Sequence, residues 1–464
     1  LSEPTDKTIR QLKNKSNLVY SLYGRPPFWE AFPLGLQHVL AMFTSNLAPC
    51  FILAGVVGLG GGDRIIMVQC AMLVSGITTV FQLYPLSIFG KKSKLPRLGA
   101  ELPIVMGTSF AFVPTAITVG KAYGIAGVLG GALVGSLIEF FMAFFIKPLK
   151  RFFPPLVIGA VLIAIGINLL RAGTNYFLGG VGKPDFGAPV NVLLGFIVFI
   201  TILVCQRFGK GLVQLSSLLI GIIVGYVAAM LMGKLNYDLV LQAPWIALPK
   251  PLHFGFEFHL DAILTFAALY IVSGLETIGN TSGITVAAFN REATTKETSG
   301  AIFADSAGSA LAAVFNTLPN TAFGQNAGIV AMTGVVNKFC ILTGAITLIL
   351  CGFVPKIGAI FSMMPDAVLG GAVISVFAMI TINGIKLIAK SGFSHRNIIV
   401  LSTILAMGLG LGTASPESYA QMPKFFQLLF KDSVATVCIL GIVVNIIFPP
   451  DPQQNKESAV IDVD

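Results

Sequence analysis

Apolar runs of about 17 to 25 residues, the length that carries a helix across a bilayer, recur between residues 29 and 449 with short polar stretches between them. Their limits fall near 29–56, 65–90, 109–120, 124–146, 154–170, 188–206, 211–233, 260–288, 298–316, 326–336, 339–355, 358–386, 395–413 and 432–449. The pattern predicts an all-α membrane protein of about 14 spans. Two of the runs are too short. Those starting near Ser109 and Asn326 offer about a dozen residues each, half a bilayer at ~1.5 Å per residue.

Each short run follows an extended, turn-like stretch, "ELPIVMGTSF" before the first and "NTLPNTAFGQN" before the second. Gly/Pro-interrupted short segments at matching places in two halves point to a transporter built from inverted repeats. "PPLVIGAVLI" from Pro154 and "PDAVLGGAVI" from Pro365 share Pro, Val, Gly and Ile at identical offsets. Seven spans per half is an odd number, so the second copy enters the membrane from the opposite side. The expected fold is therefore a seven-plus-seven inverted repeat.

Composition agrees with this pattern: 55% of the 464 residues are hydrophobic and 11% are charged, unlike an ordinary soluble domain. The formal charge of +9 is distributed as a topology signal rather than as a nucleic-acid patch. Lys7, Arg10, Lys13, Lys15 and Arg25 precede the first span. Lys91, Lys92, Lys94 and Arg97 follow the second, Lys147, Lys150 and Arg151 the fourth, and Arg207 and Lys210 the sixth. The intervening loops "GLGGGDR" and "GKAYG" carry one basic residue each. The positive-inside rule then places both termini in the cytoplasm of a cell whose inner membrane holds the protein. The polar start and the long first apolar run predict a self-anchoring span rather than a cleaved leader. The six cysteines show no C-x-x-C spacing and read as small buried hydrophobes. No His or Cys cluster suggests a metal.

Ionisable groups within spans are costly, by roughly 2.5 to 3.5 kcal/mol on insertion scales, and each is a functional candidate. Glu276 lies deep in "LYIVSGLETIGNTSGITV", with Asn280 four residues on and on the same helix face. Asp305 sits among small residues in "AIFADSAGSALAAVFN" and suits either a helix-packing or a proton-handling role. His38, in "LGLQHVLAMF", can titrate near neutral pH or serve as a fixed hydrogen-bond partner. Asp366, after Pro365, is predicted to cap a helix, and Glu139 to pack near a helix end. If "GQN" at Gly324–Asn326 starts a half-helix near the bilayer midplane, its free N–H groups face a cavity. Gly324 then permits close approach of a ligand and Gln325 offers a donor and an acceptor in one plane, which suits an amide or lactam edge. Ser109 and Phe110 of "GTSF" supply the opposite wall, with Phe110 a stacking surface, and Phe323 beside Gly324 is a further candidate contact.

At these residues the sequence resembles the nucleobase-ascorbate transporter family, also called nucleobase:cation symporter-2. Its pattern of Gln, Glu or Pro, then Asn-x-Gly-x-x-x-x-Thr and Arg, Lys or Gly, is matched by "QNAGIVAMTG" through Gln325, Asn326, Gly328, Thr333 and Gly334. "LQH" in the first span, "GTSF" with Thr108, "LETIGN" and Ala304-Asp305 accompany it. The resemblance implies short strands before the third and tenth half-helices and a division into core and gate. The N-terminal segment is 1–28, the core 29–150 and 260–357, the gate 151–259 and 358–449, and a disordered cytoplasmic tail 450–464. It further implies that Glu276 holds a purine nucleobase, that Gln325 reads its other edge, and that Asp305 supports proton-coupled transport. No cofactor is implied; the proton is the coupling ion, with sodium as the alternative. Two chains are expected to pair through their gate domains. Gln325 with Gly334 favours guanine, hypoxanthine, xanthine or urate over uracil.

One departure stands out. Asn280 occupies a place commonly filled by His in uracil members and by Asp in xanthine and urate members, so a group that titrates is replaced by one that does not. This leaves Glu276 as the leading site of coupling. The nearest rivals are a uracil-type carrier and an anion exchanger of the same seven-plus-seven architecture, and the latter would avoid a carboxylate beside its ligand. An intramembrane enzyme needs a nucleophile-base pair or a metal cluster, and neither pattern is seen.

Overall fold

The structure is a computed structural model that describes residues 17–88, 90, 95–145 and 154–448. The basic residues at 91–94 and 147–151, most of the N-terminal segment and the tail 450–464 lie outside the described residues. Helices dominate because a bilayer leaves no water to satisfy an open backbone. In order they are α1 (Phe28–Val56), α2 (Gly61–Leu83), α3 (Val113–Gly135), α4 (Leu137–Met142), α5 (Pro155–Phe177), α6 (Pro189–Phe208), α7 (Ser217–Leu231), α8 (Leu260–Phe289), α9 (Thr295–Val314), α10 (Gln325–Thr333), α11 (Lys338–Gly352), α12 (Pro355–Ser362), α13 (Asp366–Ser391), α14 (His395–Thr413), α15 (Lys424–Lys431) and α16 (Ser433–Ile447). Strand β1 (Met106–Thr108) precedes α3 and β2 (Asn320–Ala322) precedes α10.

Among the described residues, eight helices are long and apolar enough to cross a membrane, and the bent pair α11–α12 makes a ninth. The count falls below the fourteen apolar runs for local reasons. α7 and α16 hold 15 residues each and α10 only 9. α3 joins a half-span and a full one, with Gly124 turning the chain between them at φ 69° and ψ −172°. The run expected as one span at 358–386 is broken instead. α12 bends 79° from α11 and ends at Ser362, and Pro365 then starts α13. Pro365 has no N–H to continue the ladder, so a new helix begins there. Asp366 does not cap that helix. It is the first helical residue behind Pro365, makes no cap bond, and pairs with Lys183 at 2.9 Å.

The broadest helix pair is α5 against α13, and they run antiparallel. A Cβ added at Gly384 would stand 2.6 Å from the Gly159 carbonyl, and one at Gly159 would stand 2.8 Å from the Gly384 carbonyl. At the other end Gly370 meets the backbone of Phe177. Small residues admit this backbone contact, the usual device where lipid supplies no hydrophobic drive between helices. The offset separating Pro154 from Pro365 also separates Gly159 from Gly370 and Gly173 from Gly384. β1 and β2 likewise pair antiparallel about Gly107 and Thr321.

Beside one end of α10 a charged cluster closes the fold. Glu101 receives Arg97 at 2.7 Å and Lys338 at 3.2 Å, while Lys338 also lies 4.4 Å from the centre of the Tyr23 ring. Burial pushes the Glu101 carboxyl up, but the hydrogen bonds from Arg97 and Lys338 outweigh it and hold the group below its usual range. A depressed folded-state value means stability that is present above the ordinary glutamate range and lost as pH falls through the folded value. Glu101→Gln is expected to flatten the acid limb of a melting-temperature profile in detergent, with little change at pH 7 beyond the lost ion pair. Equal acid slopes for the two proteins would count against this assignment.

Candidate functional site

Two interruptions of helix build the site. β1 and β2 form a two-stranded antiparallel sheet in the register Met106–Ala322, Gly107–Thr321 and Thr108–Asn320. Buried side chains satisfy the outer backbone groups of this short ladder. Thr79 accepts from Met106 N at 2.9 Å, and Asn46 Oδ1 accepts from Thr108 N at 2.7 Å and Thr108 Oγ1 at 3.0 Å. Ser75 also donates to Asn46 at 2.8 Å, and Ser309 both gives to and takes from the Asn320 backbone at 3.1 Å. Immediately beyond each strand a helix starts, a single 3-10 turn at Phe110–Phe112 leading into α3 on one side and α10 on the other.

A cavity of about 1000 Å³ lies in front of these two starts. Ser109, Phe110, Phe323, Gly324, Gln325, Glu276 and Asn280 all line it, as do Thr108 and Gly328. Glu276 is partly exposed and Gln325 exposed to this space, and neither has a hydrogen-bond partner of its own among the described residues. Asn280 is anchored, its Nδ2 donating to Ala322 O at 2.7 Å, so α8 is tied to β2 at the cavity wall. Its Oδ1 sits where a Gly324 Cβ would come within 2.8 Å. A side chain at 324 would have to push the Asn280 amide aside. Phe110 is buried and meets Phe377 of α13 edge-on at 5.6 Å.

The remaining expected residues stand behind the wall. Asn326, one step along α10 from Gln325, turns away and donates to Pro103 O while its Oδ1 bonds His38 Nδ1. His38 is buried and does not line the cavity. Thr333 donates to Ile329 O at 2.8 Å and accepts from Val335 N at 3.2 Å. It closes α10 just before Gly334, whose left-handed φ of 69° suits glycine. Asp305 is fully buried on α9 and accepts from Thr277, the residue after Glu276. Gln325, Asn326, Thr333 and Gly334 of the "QNAGIVAMTG" motif thus have separate places, at the cavity, behind its wall and at the end of α10.

Sequence reasoning missed three parts of the site. Asn46 anchors β1, and its signal was an amide inside a long apolar run. Asp432 caps α16 by accepting from Val434 N at 3.0 Å and Ala435 N at 3.1 Å, and it also receives the Thr115 hydroxyl of α3. The facing wall is Ile158, Leu162 and Ile165 of α5 with Val376, Met379 and Ile380 of α13, residues that no pattern separates from other lipid-span hydrophobes. Beyond Asn383 the cavity is lined by Gln206 at the end of α6, Gln214 between α6 and α7, and Lys386 and Lys390 near the end of α13.

A multi-pass helical membrane protein with a ligand-sized cavity between two interrupted helices belongs to the class of permeases. The comparisons with known proteins make this specific. A sequence model of a family described as "Permease family" matches residues 30–417, and the chain belongs to that family, the nucleobase-ascorbate transporters. It is a permease and not an enzyme. It is 32% identical over 445 residues to a putative purine permease of Clostridium perfringens, covering 96% of both chains. It is 32% identical to the xanthine permease of Bacillus subtilis, covering 91% of this chain and 95% of that one. It is 33% identical to the uric acid permease PucK of the same organism, covering 89% and 94%. In overall shape it is similar to the transmembrane domain of a cyanobacterial bicarbonate transporter, with TM-score 0.55 at 14% identity over 92% of this chain and all of that one. It is similar too to the murine Solute Carrier 26 family member A9 anion transporter, with TM-score 0.61 at 11% identity over 96% and 73%. These two likenesses concern the fold alone.

Asn46→Ala would strand buried donors of Thr108 and Ser75, at about 1 to 3 kcal/mol. It is expected to lower thermal stability in detergent and to weaken ligand binding, while Ala41→Ser on the same helix leaves stability unchanged. A stable, fully binding Asn46→Ala protein would remove Asn46 from its place as the anchor of β1.

Proposed function

We propose that the chain imports a purine nucleobase of the guanine, hypoxanthine, xanthine or urate type by proton symport with alternating access. The observation that carries this reading is that Glu276 and Gln325 line one cavity and that neither has a hydrogen-bond partner among the described residues. A carboxylate accepts from ring N–H groups, and a carboxamide both donates and accepts, a set that fits the alternating edge of an oxo-purine. Phe110 supplies a ring face beside them. The xanthine and uric acid permeases among the relatives support the same substrate class.

The proposed architecture is the fourteen-span inverted repeat, with α1–α4 and α8–α11 as core and α5–α7 and α12–α16 as gate. The antiparallel contacts of α5 with α13 and of β1 with β2, between segments at matching places in the two halves, support it. The positive-inside assignment makes the end bearing Arg207, Lys210, Lys386 and Lys390 cytoplasmic. In this conformation the cavity then faces inward. Proton coupling is assigned to Glu276 with Asp305 behind it, and His38 takes the lesser part of holding Asn326.

The test is uptake of labelled guanine, hypoxanthine, xanthine, urate and uracil into proteoliposomes under a proton or a sodium gradient. Purine accumulation that a protonophore abolishes is expected, with uracil excluded. Glu276→Gln should weaken substrate binding by about 10- to 100-fold, the loss of a charge-assisted hydrogen bond worth about 1.5 to 3 kcal/mol. Transport of bicarbonate or chloride with no nucleobase movement would replace this reading with an anion carrier.

A further inference from the structure

Glu139 lies on α4, outside the cavity, with its side chain fully buried. Among the described residues Asp305 Oδ1 has no hydrogen-bond partner and the Glu139 carboxyl oxygens make no well-formed one, with the Ser273 hydroxyl beside them. These orphaned atoms share one seam between α4, α8 and α9. Ser306 donates to Ser136 O at 2.9 Å and Ser299 donates to Ala143 O, tying α9 to α4 on both sides of Glu139. Asp305 sits on α9 between those two serines. Gly274 of α8 packs against the same seam, where an added Cβ would stand 2.6 Å from Met142 Cε and in ordinary contact, 3.6 Å, with Glu139 Cγ.

The titratable groups facing Glu139 are Asp305 from α9 and, more weakly, Glu276 from α8. Tyr270 of α8 also faces it but commits its hydroxyl to Ala132 O at 2.8 Å. α3 contributes none, and no Lys or Arg faces it among the described residues. Two ionised carboxylates in a dry seam without a cation would repel each other and each lack solvation, at several kcal/mol per ion. Packing alone is served better there by Leu or Met of similar volume. A carboxyl at this depth is explained if its proton is used.

We propose that Glu139 and Asp305 share one labile proton and form the inner end of the path that begins at Glu276; this rests on the proton-coupled reading above. Thr277, the residue after Glu276 on α8, donates its hydroxyl to Asp305, and Asp305 shares the seam between α4 and α9 with Glu139. In the shared step the O–H bond on Glu139 breaks and one forms on Asp305 Oδ1. The pair therefore carries a single negative charge before and after. Its charge changes only when it takes a proton from Glu276 or returns one. Glu139 touches no substrate and is a positioning residue for the proton on Asp305.

Glu139→Gln keeps the shape and removes the titration. Substrate counterflow at equal pH on both sides is expected to stay within about twofold of the wild type, while accumulation driven by an imposed pH gradient falls by about tenfold or more. The pH profile of substrate affinity should flatten, and Glu139→Asp should restore part of both. A Glu139→Gln protein that accumulates substrate as the wild type does, with the wild type responding to the gradient, overturns the role of Glu139 alone. Loss of counterflow together with accumulation overturns it as well, because the residue would then be holding structure. A wild type indifferent to the pH gradient removes this inference and the proton-coupled reading together.

Discussion

The structure depends on one constraint: a chain that leaves helical form at mid-membrane must find a partner for every backbone N–H and C=O it exposes. The extended stretches before Phe110 and Gln325 meet it by pairing with each other. Three residues from each form the ladder, and Asn46, Thr79 and Ser309 take up groups that the ladder leaves over. Both helix starts beside the cavity are held in position by this sheet. Each half of the chain therefore completes the other's backbone, and the site sits where the two halves meet.

Around that sheet the polar residues divide into two layers. Those in front, Glu276 and Gln325, face the cavity with no hydrogen-bond partner among the described residues, while those behind, His38, Asn326 and Thr277, bond to protein. Gln325 and Asn326 show how one step of helix, about 100° of rotation, separates the two tasks. Asn280 joins the layers. It faces the cavity yet is pinned to Ala322 O, so its amide fixes wall shape more than it reads a ligand. An amide suits that duty, because an ionised carboxylate in its place could not donate to Ala322 O.

Much of this was legible in the sequence where a polar residue interrupts an apolar run. The short runs at Ser109 and Asn326, the Glu276–Asn280 spacing and Gln325 pointed to residues that line one cavity, whereas Asn326 turns away from it. His38 and Asp305 were visible as exceptions, but their depth behind the wall was not, since helical position alone does not say which neighbour a face meets. The facing wall on α5 and α13 could not be read at all. Ile158 and Met379 look like any residues in contact with lipid. Asp366 misled for a different reason. Proline ahead of it already stands at the cap, which frees the carboxylate for Lys183. The break at Ser362–Pro365 was marked by Pro365 and Asp366, yet the residues on either side are apolar enough that 358–386 reads as one span.

The glycine contacts between α5 and α13 have a mechanical consequence. Helices held apart by large side chains can roll, since rotamers absorb the change. Where backbone rests on backbone at both ends of the crossing, as at Gly159 with Gly384 and at Gly370 with Phe177, no such slack exists. The two helices behave as a single stiff plate, and the apolar wall they present to the cavity tilts or shifts as one piece. Side-chain changes on that wall alter the texture of the surface a ligand meets, while the curvature and span of the wall stay fixed by the glycines beneath.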